Sequence, residues 1–178
     1  MSRNRYVGDY HLADTVDDRG KIRTEVEYTG GLYSFSQDPE TVSRTKVKSL
    51  LLCAAGWLAY IAAMIPVSAA TKTFYSAIPF VLTGVPLALL SGTAAAVFPL
   101  KERFIHKYAD RIENRWPASA AFIVILAGIA LLGEAVNLIR GLKMTSGDLL
   151  FAFCAPALIL TGVLAYRSGK NLKCEKLP

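Results

Sequence analysis

Of the 14 acidic residues in this 178-residue chain, Glu134 alone falls within a stretch otherwise apolar enough to cross a membrane. An acid at the centre of such a helix costs roughly 2.5–3.5 kcal/mol to insert. Residues of that kind usually face the interior of a helix bundle and have a partner there. At 100° per residue, Ala127, Ala130, Glu134, Asn137 and Gly141 fall within about 80° of arc, a narrow small-and-polar face. Glu134 with Asn137 is therefore the candidate intramembrane polar site, suited to a buried contact or to a proton or cation. The plainer alternative puts Glu134 about 9 Å past the middle of its helix, reached by water or by Arg140 near the interface.

Other residue types with chemical potential do not converge. His11 and His106 lie far apart, have no metal-ligand spacing and read as solvated surface residues. Cys53, Cys154 and Cys174 form no C-x-x-C pair, and an odd count argues against a disulfide framework. No nucleophile–base set, phosphate-cradling loop or ligand cluster stands out, so the expectation is no enzyme, no cofactor, no metal and no catalytic residue.

The elements that must position Glu134 follow from the spacing of charges. Ser49–Thr71, Thr73–Leu100, Trp116–Gly133 and Leu149–Tyr166 are uncharged runs of 23, 28, 18 and 18 residues. A bilayer core of about 30 Å needs about 17–25 residues of apolar helix, and only 19% of the chain is charged against roughly 25% in soluble domains. The expected fold is an all-α integral membrane protein, a bundle of four transmembrane helices. The first run is too long for a secretory signal and follows 48 mostly polar residues.

Basic residues set the orientation. The segment through Lys48, the connection between spans two and three, and the tail from Arg167 hold 8, 5 and 4 Lys/Arg, whereas the other two loops hold only Lys72, Arg140 and Lys143. Positive charge stays on the cytoplasmic side, which predicts both termini inside and, most simply, residence in the cell membrane. The formal net charge of +6 then reflects a face meeting anionic lipid rather than nucleic acid, because the first 48 residues balance eight bases with eight acids.

Residues 1–38 carry more pattern than a linker. Ile22, Thr24, Val26 and Tyr28 alternate with charged and polar neighbours, as in a half-buried strand. Asp17-Asp18-Arg19-Gly20 reads as a turn, with His11–Val16 as the partner strand. Gly30-Gly31 marks a second turn before Leu32–Phe35. A lone hairpin is marginal in water, so this cytoplasmic hairpin-like segment needs a surface: the protein's own loop, a second copy or a different protein. Asp38-Pro39-Glu40 reads as a helix start, giving a first helix over 39–71. The second span covers 73–100, with Pro86 inside it and expected to kink it. Residues 101–115 form an amphipathic helix, because Phe104, Ile105, Tyr108, Ala109, Ile112 and Trp116 fall within about 140° of arc. It is expected to lie on the inner membrane surface and to close at Trp116-Pro117. The third and fourth spans cover 116–139 and 148–166, and 167–178 is a basic tail.

Small residues suggest how the helices meet. Gly84, Ala88, Gly92 and Ala96 recur every fourth position in the second span, as do Ala55, Ala59 and Ala63 in the first. Such faces allow close backbone approach in lipid, so the first two helices are expected to pack along them, unless the stripe is a partner's docking face. The partners expected are the bilayer and a protein, either another chain or a second copy. The leading functional expectation is a non-enzymatic accessory, assembly or regulatory subunit of a membrane complex. The alternative is a small oligomeric transporter or channel using Glu134, Asn137 and the proline-containing second span.

Overall fold

A computed structural model of the chain describes residues 10–16, 22–65, 72–141 and 145–177, with backbone alone over 12–16 and 22–27. Its strands are β1 (Tyr10–Val16), β2 (Ile22–Tyr28), β3 (Leu32–Phe35), β4 (Phe104–Ile105) and β5 (Cys174–Lys176). Four helices carry the mass: α1 (Pro39–Met64), α2 (Phe74–Val97), α3 (His106–Ile139) and α4 (Ser146–Asn171), each long and apolar enough to cross a membrane.

The start of α1 obeys its capping chemistry. Asp38 is in extended backbone conformation and accepts a 2.9 Å hydrogen bond from Thr41 N–H, with Pro39 opening the helix. The helix stops at Met64, short of the expected end at residue 71, and residues 66–71 lie outside those described. Pro66 cannot donate an amide and disfavours helix in the residue before it. α2 runs through Pro79 and Pro86 without interruption. It ends ahead of Pro99, and α4 opens on a capping box between Thr145 and Asp148.

The segment between α2 and α3 departs from expectation. Residues 101–115 are not a separate helix on the membrane surface. Phe104 and Ile105 form a strand, and the helix that starts at His106 continues through Trp116 and Pro117 to Ile139. Continuity past Pro117 is possible because Arg111–Arg115 form a π turn, in which Trp116 N–H bonds the Arg111 carbonyl. The wider turn accommodates a proline ring that would otherwise crowd the carbonyl four residues earlier. The apolar face of this segment points into the protein. Phe104, Ala109, Ile112 and Trp116 are buried, and Trp116 Nε1 donates to the Ala165 carbonyl at 2.9 Å.

β1 and β2 pair antiparallel from Tyr10↔Tyr28 to Val16↔Ile22, the expected hairpin; its turn lies outside the described residues. β3 does not join it. Instead β3 is the centre of a second sheet, order β4-β3-β5, antiparallel on both sides. That sheet gathers the N-terminal segment, the α2–α3 connection and the tail at one end of the bundle. The tail is thus structured: α4 extends to Asn171, and Ser36 N–H and Leu177 N–H bond across to Lys173 and Leu32 carbonyls at 3.1 and 2.8 Å. His106, expected to be solvated, is half-buried and stacks on Tyr33 with ring centroids 5.4 Å apart.

Within the bundle, α3 makes the most extensive contacts, with α4 and with α2; α1 leans chiefly on α4, and its seam with α2 is the lightest. The interior holds Phe80, Leu87, Leu90, Ile123, Phe151 and Leu158 together with Ser76, Thr83, Asn137 and Thr161. The outside is apolar, with Leu58, Phe74, Ile139 and Phe153 each more than 70% exposed. An apolar exterior around an interior that also holds the hydroxylic and amide side chains is the arrangement expected when the surrounding solvent is lipid.

Candidate functional site

The far end of the bundle, opposite the β4-β3-β5 sheet, brings polar side chains from three helices together. Glu134 and Asn137 project from α3 one turn apart, and both are buried, at 2% and 0% exposure. Asn137 is held on both ends of its amide. Nδ2 donates to Thr73 Oγ1 at 2.9 Å and to Glu134 Oε2 at 3.2 Å, while Tyr75 OH donates to Oδ1. Thr73 stands immediately before α2 and Tyr75 lies in its first turn, so the start of α2 is pinned to α3 by this amide. Ser76 adds a 3.0 Å bond from Oγ to the Ala130 carbonyl.

Two features make close approach possible here. Gly133 has no Cβ; one placed there would sit 2.9 Å from Ser76 Cβ and 3.1 Å from its Cα, too close for helices at this separation. Gly141, at φ +77°, lets the chain leave α3 in a left-handed turn that a residue with a Cβ rarely adopts.

Asp148 enters from α4 and is 1% exposed. Its Oδ2 accepts from Thr145 N–H at 2.6 Å and from Thr145 Oγ1 at 2.9 Å, and its carboxyl lies close enough to Glu134 to interact with it directly. Glu134 Oε1 is buried and has no hydrogen-bond partner among the described residues. An inward-facing carboxylate with one satisfied oxygen and one open oxygen can accept a proton, a water or a small cation. Arg140 does not neutralise it. Its guanidinium lies over the Tyr75 ring, 5.7 Å from the centroid, and no Arg140–Glu134 ion pair occurs among the described residues.

The structure therefore brings Glu134 and Asn137 together, on the interior face the sequence assigned them. Thr73, Tyr75, Ser76 and Asp148 are additions. Asp148 was legible only as a helix-start residue, since T-x-x-D is a capping signature; its burial beside Glu134 depends on how α4 packs. No group of three or more His, Cys, Asp or Glu suited to a metal occurs among the described residues.

The small-residue faces are distributed differently from the expected pairing of α1 with α2. Ala55, Ala88 and Gly92 are exposed, Ala59, Gly84 and Ala96 are half-buried, and only Ala63 is fully inside. Aromatic side chains fill the α1–α2 seam instead. Tyr60 OH donates to the Val81 carbonyl at 3.1 Å and occupies the space over Gly84, and Trp57 Nε1 donates to Ser91 Oγ at 3.0 Å. Close approach occurs elsewhere, at Gly133 against Ser76, and at Gly162, where an added Cβ would lie 3.1 Å from the Ala120 carbonyl. Compared with known proteins, the chain matches no family model, no curated protein and no solved structure.

Proposed function

We propose that this chain is a non-enzymatic accessory, assembly or regulatory subunit of a membrane complex, seated in the cell membrane with both termini in the cytoplasm. The observation that carries this reading is the β1–β2 hairpin. Seven residue pairs form it, and among the described residues its strands pair only with each other and not with the three-stranded sheet. Its described ties to the body run through Tyr28, whose hydroxyl donates to the Gly31 carbonyl at 3.0 Å and accepts from His106 N–H at 3.0 Å. A two-stranded ribbon gains stability when it packs on something, and a partner's surface supplies that. The distribution of Lys and Arg, 17 in the N-terminal segment, the central connection and the tail against 3 in the other two loops, supports the orientation.

The test is purification from native membranes in mild detergent, comparing the full chain with one lacking residues 1–29. The expected result is a stoichiometric membrane-protein partner on the full chain, lost from the truncated one while helicity and particle size of the subunit itself are kept. A full chain that purifies as a lone species from native membranes overturns the proposal.

A second reading, a small oligomeric transporter or channel, draws support from the open Oε1 of Glu134. It requires flux of protons or monovalent cations in proteoliposomes, abolished by Glu134→Gln. Flux no greater than in empty liposomes excludes it.

A further inference from the structure

A groove on the lipid-facing side of the bundle, independent of the Glu134 cluster, has features of a different binding site. It encloses about 440 Å³ between α2 and α3. Ala88 and Gly92 form its floor on α2, and both are exposed, with nothing within 4 Å of a Cβ built at Gly92. Leu89 and Phe122 form its walls, and Arg111 and Arg115 stand at its mouth on the sheet end. Between the arginines and Phe122 the lining carries two hydroxyls: Thr93 spends its own on the Leu89 carbonyl at 2.8 Å, and Ser119 is buried at 6% exposure. The body of the groove, otherwise Pro86, Ala88, Leu89, Gly92, Ala118 and Phe122, therefore asks for an apolar occupant.

The mouth asks for an anion. The π turn that carries α3 past Pro117 also sets both arginines beside the groove. Arg111 rests over the Tyr108 ring, 5.9 Å from its centroid. Arg115 has a loose 3.9 Å contact with Asp110, whose Oδ1 is already bonded by Asn114 Nδ2 at 2.7 Å. Two guanidiniums against one carboxylate leave a positive mouth. Arg115 and Phe122 are about 10 Å apart along the helix, which fits within the roughly 15 Å depth of one hydrocarbon leaflet. A charged head at the arginines and an acyl chain running to Phe122 would therefore share one molecule.

We infer that this groove binds one anionic phospholipid, its phosphate on Arg111 and Arg115 and an acyl chain over Ala88 and Gly92. A second copy of the chain fits less well. A two-fold axis along the membrane normal would bring residues of equal depth together, placing the arginine pair of one copy against that of the other.

Native mass spectrometry of the detergent-purified full chain, with equal amounts of dioleoyl phosphatidylglycerol and dioleoyl phosphatidylcholine, tests this. Two basic residues near a lipid surface, at about 1 kcal/mol each, predict retention of the anionic lipid about thirtyfold over the zwitterionic one. Arg111→Gln with Arg115→Gln reduces that preference to within about twofold. Lys101→Gln with Arg103→Gln, which removes equal charge from the same end but outside the groove, leaves it intact. Gly92→Leu loses both lipids while helicity and thermal midpoint in detergent are retained. The proposal fails if wild type retains both lipids equally, or if the two double variants lower the preference alike, which marks diffuse attraction. It also fails if Gly92→Leu keeps the lipid, or if that substitution dissociates a dimer.

Discussion

Glu134 accepts from Asn137 through one oxygen only, and that asymmetry makes its variants informative. Glu134→Gln keeps an acceptor for Asn137 Nδ2 and presents an amide N–H₂ toward Asp148, so folding should be preserved. Glu134→Leu removes the acceptor and leaves Asn137 short of a partner in a buried setting, which should cost about 1–3 kcal/mol and lower the thermal midpoint in detergent. If the leucine variant melts like wild type, the carboxylate plays no part in holding α2 to α3. Cys174 offers a second residue-scale test. Burial, and then the Glu113 carboxylate, push its thiol up to about 12 from an ordinary 9.0. The folded state therefore holds the proton more tightly than the unfolded state. Its contribution is fully present below about pH 9 and is lost as pH rises toward 12. Stability of the wild-type chain should fall across that window more than that of Cys174→Ser, and maleimide labelling of native Cys174 at pH 7.5 should be slow.

At the scale of elements, the helix contacts set which glycines tolerate a side chain. Gly162 sits under Ile123 and Val124 of α3, and Gly133 sits against the backbone of Ser76. Gly162→Leu or Gly133→Leu must push α3 away from α4 or α2, at a cost of about 1–3 kcal/mol or more. Gly92→Leu should be tolerated, because the position is open. Circular-dichroism melts of the three variants decide it, and equal loss in all three would mean that α2 packs through Gly92 after all. The sequence could not make this distinction. Gly84, Gly92, Gly133 and Gly162 have the same local appearance, and which of them lies at a crossing depends on the rotation of each helix within the bundle. The strands show the same division. The period-2 alternation of 22–28 is local and was visible, whereas the pairing of Leu32–Phe35 with Phe104–Ile105 and Cys174–Lys176 joins segments about 70 and about 140 residues apart in the chain and had no local signature.

For the whole molecule, the sheet places the start of α1, the end of α2, the start of α3 and the end of α4 together. In a chain with its native cysteines replaced, a cysteine at Ser146 should react with an impermeant maleimide added to intact cells. One at Asn171, exposed on the sheet end, should react only after lysis; the reverse pattern would invert the topology. Four membrane-length helices, the capped start at Asp38, the hairpin and the inward polar face of Glu134 and Asn137 were determined by the sequence itself. Length without charge, capping chemistry and residue periodicity are properties of contiguous residues. Tertiary structure alone decided that the apolar face of 104–116 meets protein instead of lipid, and that Asp148 joins Glu134. It also decided that the small-residue stripe on α2 stays open beside Arg111 and Arg115. Each of these depends on which helix face turns toward which neighbour, and in a chain whose helices are apolar nearly all round, hydrophobic periodicity cannot choose that rotation; close backbone contacts and buried hydrogen bonds do.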